Sequence, residues 1–223
     1  MEKPLLALSA LALMALSIPA HAETQGQWYV SGAAGWSIVP DSDFTWSELS
    51  TIGSPTTGEF ALDNGANFAA AVGAKVNQNL RTEVELSYRK ANIDSVSLDG
   101  VGDVETFLAG LGVPVDIGGN VKTWALLLNG YYDFMPESRF HPYLSAGIGL
   151  ARHNAKLSIG GVSDSASDTK FAYQAGAGAS YDLTSQTALF GGYRYLGSSD
   201  PDFDGIDAEY DAHEIRAGLR FTF

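Results

Sequence analysis

Residues 213–223 read HEIRAGLRFTF, and this stretch decides the fold. Ile215, Ala217, Leu219, Phe221 and Phe223 fall on one face of a strand, while Glu214, Arg216, Gly218, Arg220 and Thr222 fall on the other. In a soluble sandwich the oily face would meet a second sheet. In a membrane barrel it meets lipid, and the charged face lines the lumen.

The same alternation recurs upstream, in 27–38, 67–77, 80–91, 122–134, 141–153, 170–183 and 187–196. In 80–91, Leu80, Val84, Leu86 and Tyr88 oppose Arg81, Glu83, Glu85, Ser87 and Arg89, a charge period of two that no core helix carries. Phe190 and Leu196 sit inward against the pattern. With the terminal strand this makes about eight strands, each near the ~9–11 residues a tilted membrane strand needs. Connections after the second, fourth and sixth strands are short. Those after the others, roughly 39–66, 92–121, 154–169 and 198–212, are long. Short periplasmic turns and long external loops are the asymmetry of outer-membrane barrels. Soluble eight-stranded barrels turn their apolar face inward instead. The expected fold is therefore all-β: an eight-stranded antiparallel, transmembrane, up-and-down β-barrel. The aromatics agree. Trp28, Tyr132, Phe134, Tyr181, Phe221 and Phe223 fall at the periplasmic end, and Trp36, Phe68, Tyr88, Trp124, Phe171, Tyr173 and Tyr195 at the external end, as two interfacial girdles.

The N-terminus reads as a targeting segment. Lys3 precedes an apolar run over 5–18, too short for a spanning helix of ~20 residues, and Ala20-His21-Ala22 forms an A-x-A cleavage site. Residues 1–22 are expected to be a cleaved signal peptide and 23–223 the barrel domain. The chain of 223 residues has no Cys, which excludes a disulfide framework and thiolate metal sites. Its net charge of -13 argues against nucleic acid as a partner.

The segments 28–36 (WYVSGAAGW), 141–151 (HPYLSAGIGLA), 171–183 (FAYQAGAGASYDL) and 216–223 (RAGLRFTF) carry a family resemblance. The chain resembles the outer-membrane β-barrel family of opacity-type and 25-kDa surface antigens, akin in architecture to the OmpA transmembrane domain and OmpX. The resemblance implies residence in the Gram-negative outer membrane among lipid and lipopolysaccharide. It also implies that Phe223, with Phe221, is the signal read by the barrel-assembly machinery. A monomer with a structural, membrane-integrity and surface-interaction role, antigen- or adhesin-like, is expected.

Three places are candidates for chemistry. Alternation puts Lys75, Arg81, Arg89, Arg194, Arg216 and Arg220 in the lumen against Glu83, Glu85, Asp133, Asp182 and Glu214. An eight-stranded barrel is just wide enough for side chains to fill, so these charges read as a salt-bridged plug. The alternative is a small porin with a narrow gated pore. The long connections hold acids almost alone, opposed only by Lys156. In the fourth, Asp200-Pro-Asp202-Phe-Asp204-Gly205, with Asp211 at position twelve, matches the start of a calcium loop. It departs from the EF-hand in Asp211 replacing Glu, in Asp207 at position eight and in having strand flanks. No other cofactor is expected. Loops one and two carry Phe44, Trp46, Leu49, Val96, Leu98, Val101, Val104, Phe107 and Leu108, a surface for a host or environmental ligand. Partial alternation in loop two predicts strands running beyond the membrane. No nucleophile-elbow, zincin or phosphate-loop motif is present. His153 would be the anchor of a lipid A-modifying enzyme, but alternation turns it inward, so no enzyme is expected.

Overall fold

The computed structural model describes residues 27–40, 42–46, 56–62, 64–98, 102–112, 117–159, 162–199, 206–208 and 210–223. The expected signal segment lies outside them, as do Leu49, Val101, Asp200, Asp202 and Asp204. The elements in chain order are β1 (Trp28–Ile38), β2 (Ser42–Trp46), β3 (Thr56–Leu62), β4 (Gly65–Lys75), β5 (Leu80–Leu98), β6 (Gly102–Asp103), α1 (Val104–Gly110), β7 (Ile117–Asp133), β8 (Phe140–Ile159), β9 (Val162–Asp182), β10 (Thr187–Ser198), β11 (Ile206–Ala208) and β12 (Tyr210–Thr222).

Eight of these strands, β1, β4, β5, β7, β8, β9, β10 and β12, form the wall, each antiparallel to the next. The wall closes where β12 returns to β1, from Tyr29 opposite Thr222 to Ile38 opposite His213. Just past that ladder, the Phe223 N–H donates to the Trp28 carbonyl at 2.9 Å. Closure leaves the wall no free edge, the condition a sheet must meet in lipid.

The turns at one end are short and locally satisfied. Asn77 Oδ1 accepts from the N–H groups of Asn79 and Leu80, both at 2.8 Å. Thr184 Oγ1 does the same for Gln186 and Thr187. The turn 134–139 bends through Met135, whose φ is 52°.

The other end differs from the sequence expectation. β8 and β9 run 20 and 21 residues, where β1 and β4 run 11. Residues 154–169, expected as a long connection, are largely β-hairpin, paired from His153 opposite Asp168 to Ile159 opposite Val162. The β5–β7 ladder likewise continues to Ile93 opposite Gly119. Ten residues beyond a spanning length carry these strands roughly 30 Å further. β3 pairs with the extended part of β5, β2 with β3, and β11 with β2. The result is a one-sided external sheet. The strands predicted within loop two are only partly present: 104–110 is helix α1, because the Asp103 side chain caps it by accepting from the Thr106 N–H at 2.8 Å.

Outward positions are apolar and uncovered. Val30, Val72, Leu86, Leu128, Leu144, Ile148, Leu189 and Leu219 are all exposed, between girdles that include Trp28, Tyr132, Tyr181 and Phe221 at one end and Trp36, Phe68, Trp124 and Phe171 at the other. So continuous an apolar band needs lipid as its solvent. The packed core is the lumen, and two glycines make room in it. A Cβ at Gly73 would strike the Tyr29 ring, and one at Gly178 the Tyr143 hydroxyl.

Candidate functional site: the lumen network

Each wall strand sends every second side chain inward, so the lumen is built from stacked rungs. Of the eleven charged residues placed there by alternation, nine are buried: Arg81, Glu83, Glu85, Arg89, Asp133, Arg194, Glu214, Arg216 and Arg220. Six of them, Arg89, Glu214, Arg194, Glu85, Arg216 and Glu83, form one chain with Tyr131 and Tyr29 across the barrel. On the external side Arg89 Nε donates to Glu214 Oε1 at 2.7 Å, and Arg194 Nη2 meets Glu214 Oε2 at 2.6 Å. Arg194 also reaches Glu85 at 2.6 Å, and Arg216 takes the other Glu85 oxygen at 2.8 Å. Arg216 then donates to the Tyr131 hydroxyl at 3.2 Å, and Tyr131 donates to Glu83 at 2.6 Å. Tyr29 closes on the second Glu83 oxygen at 3.0 Å. Neutral groups complete the outer rungs: Ser37 donates to Glu214, Asn67 to Ser37, and Gln174 to Asn129.

Nearer the short turns, Arg81 Nε donates to Asp133 at 2.8 Å, and its guanidinium lies 3.9 Å from the centre of the Tyr131 ring. Charges this far from bulk water need such pairing, because an isolated one carries a desolvation cost of several kcal/mol or more. The cavity left among Arg81, Glu83, Glu85, Tyr131, Arg216 and Arg220 is about 10 Å³, room for roughly one water.

The remaining members stand apart. Asp182 pairs with His141 at 2.9 Å rather than with an arginine, and its side chain is 41% exposed. The His141 ring also bonds the Met135 carbonyl, so this histidine braces a turn. Lys75 is half-buried at the same rim and makes no ion pair among the described residues. Arg220 donates to Ser180 at 3.4 Å.

An apolar layer inside the barrel escaped the sequence reading. Leu127 and Leu196, both fully buried, pack with Val39, Ala91, Ala125, Ala151, Ala172 and Ala212 on the external side of the lumen. The run Leu126–Leu128 hides its inward member among two lipid-facing neighbours, and Leu196 broke the alternation instead of announcing a layer. Arginine chains and this apolar layer together fill the cross-section.

Other sequence candidates fall elsewhere. His153 is fully buried and bonds Thr123 at 3.0 Å. His213 faces outward within β12, bonded to the Tyr193 hydroxyl at 2.6 Å, with Asp211 Oδ2 4.0 Å from its other nitrogen. Asp211 is thus on a strand, apart from the loop positions Asp200, Asp202 and Asp204 that lie outside the described residues. Phe221 and Phe223 are exposed on the lipid face with rings edge to face at 5.4 Å.

Comparison with known proteins follows the same lines. The family model described as outer membrane protein beta-barrel domain matches residues 8–223. Outer membrane protein PagN of Salmonella typhimurium is 29% identical over 75% of this chain and 73% of its own length. An adhesin candidate of Rickettsia conorii is 26% identical over 88% of this chain and 82% of its own. Among solved structures, Neisserial surface protein A superposes with a TM-score of 0.53 at 21% identity, covering 88% of this chain and 97% of that one.

Proposed function

The chain belongs to the outer membrane protein beta-barrel domain family and resides in the Gram-negative outer membrane; from that premise we propose that it is a surface-interaction protein, adhesin-like, whose external sheet does the binding and whose sealed barrel is the mount. One contrast carries the reading. The lumen is packed with ion pairs, and the cavity among Arg81, Glu85 and Arg216 holds about one water, whereas β5, β7, β8 and β9 continue far beyond a membrane span. A pore-former would invest its charges along an open path. Here they are spent on closure, and the chain's extra length is outside. The adhesin candidate among its relatives supports the same assignment.

We further read the protein as a non-enzyme. His153 is sealed behind the wall against Thr123, away from the lipid face where a lipid A substrate would lie. Lipid A from expressing and deleted cells is expected to give identical mass spectra.

The test of binding uses a non-adherent Gram-negative host displaying the full barrel, or a version with residues 154–169 replaced by a short turn. The full barrel is expected to raise retention on epithelial cells or extracellular matrix, and the trimmed barrel to lose that gain while still reaching the membrane. Equal retention with full barrel, trimmed barrel and empty host would overturn the proposal.

A further inference from the structure

Thirteen lysines and arginines occur in the sequence, and their distribution is uneven. Lys3 lies outside the described residues. Six belong to the lumen set, Arg139 lies in a periplasmic turn, and Lys170 pairs with Asp168 at 3.1 Å. The four that remain are Lys90, Lys122, Arg152 and Lys156. All four are exposed, and all lie on three adjacent strands, β5, β7 and β8.

Register gathers them in one patch at the external girdle and just beyond it. Tyr88 faces Trp124 across β5–β7, their ring centres 4.8 Å apart, in the external aromatic girdle. Lys90 and Lys122 are opposite each other one outward position beyond that pair. Arg152 is opposite Trp124 on β8, and Lys156 is two outward positions further out. Outward positions on a strand are about 7 Å apart and strands about 4.8 Å. The four cations thus form a patch roughly 10 by 14 Å across, immediately above the lipid band.

No described carboxylate pairs with it. Among the described residues, none of the four is in an ion pair; Arg152 reaches only the Ser167 hydroxyl, at 3.0 Å. Like charges directly opposite on a ladder, as at Lys90 and Lys122, destabilise it. At the two levels outward of the Tyr88–Trp124 pair, β5 and β7 place Lys90 opposite Lys122 and Asn92 opposite Asn120, with no acid at either level. The complement is therefore external. At this height, flanked below by exposed aromatic rings, the available anion is a headgroup whose acyl chains lie along Leu86, Trp124 and Leu128.

We infer that Lys90, Lys122, Arg152 and Lys156 form a docking site for a phosphorylated outer-leaflet lipid of the lipid A class, its phosphates on the cations and its acyl chains on the apolar wall below. The site fixes the barrel's rotational face toward that lipid and sets the base of the external sheet. Each lysine or arginine near an anionic lipid surface adds to the attraction, so the four act together.

Native mass spectrometry of the refolded barrel tests it, with diphosphorylated lipid A, its dephosphorylated form or millimolar inorganic phosphate as probes. Wild type is expected to retain one diphosphorylated lipid A against phosphate competition. The combined variant Lys90→Gln, Lys122→Gln, Arg152→Gln, Lys156→Gln should weaken retention about tenfold or more. Lys90→Arg with Lys122→Arg and Lys156→Arg should keep it, which separates charge recognition from a folding defect. Equal retention by the glutamine variant, equal retention of dephosphorylated lipid, or displacement by millimolar phosphate would each contradict the site.

Discussion

The lumen and the outer wall above the girdle handle positive charge in opposite ways. Inside, five buried arginines meet carboxylates, phenols and hydroxyls at fixed distances, and Glu85 and Glu214 are each held by two of them. Outside, three lysines and one arginine stand exposed with no carboxylate partner among the described residues. The chemistry of the two side chains explains the choice. A planar guanidinium has five fixed donors, so it can bridge two carboxylates in a dry interior. An ammonium is a compact, strongly hydrated point charge suited to a wet interface. Charge inside this protein is structural, and charge outside is available.

Removing one partner from each region should therefore have very different effects. Glu85→Ala leaves Arg194 and Arg216 buried without their shared carboxylate, and is expected to cost about 3–5 kcal/mol in urea unfolding of the refolded barrel. A cost below about 1 kcal/mol would show that water replaces the carboxylate and that the lumen is wetter than its packing implies. Leu127→Ala, in the apolar layer, should cost about 2–4 kcal/mol by the same assay. On the outer wall, Lys90→Gln with Lys122→Gln should change stability in lipid-free detergent by less than about 0.5 kcal/mol, and any change should be a gain, since a like-charge pair is relieved.

The smallest effect lies in the external sheet. The hydrogen bond from Thr106 holds the Asp103 carboxyl below its usual range. A depressed carboxylate stabilises the folded form above its unfolded pKa, and that contribution fades as pH falls through the folded pKa. The Thr106 amide resonance should shift in that acidic window and stay put in Asp103→Ala, while lumen resonances do not move with it.

Much of this architecture was legible in the sequence because a strand's side-chain period is two and a membrane inverts the usual sidedness. Residues 213–223 alone give the faces of Glu214, Arg216 and Arg220, and the other alternating segments give those of the remaining lumen charges. What alternation does not give is height around the barrel. That Glu85 on β5 meets Arg194 on β10 and Arg216 on β12 depends on the cross-barrel register, which no single strand encodes. The external patch was missed for the same reason: Lys90, Lys122 and Arg152 lie near the outer limits of three separate alternating segments, and only the ladder sets them side by side. In loop two, apolar residues at alternate positions suggested strand, but the Asp103 cap and Glu105 in the first turn favour the helix that forms.

The central claim is that the ion-paired lumen is closed. Planar-bilayer conductance of the refolded barrel tests it most directly. The account predicts no steps, or only rare brief ones, from the wild-type protein. Stable, long-lived steps from wild type that change in ion selectivity with Arg216→Ala would contradict it, and would make the lumen a conducting path.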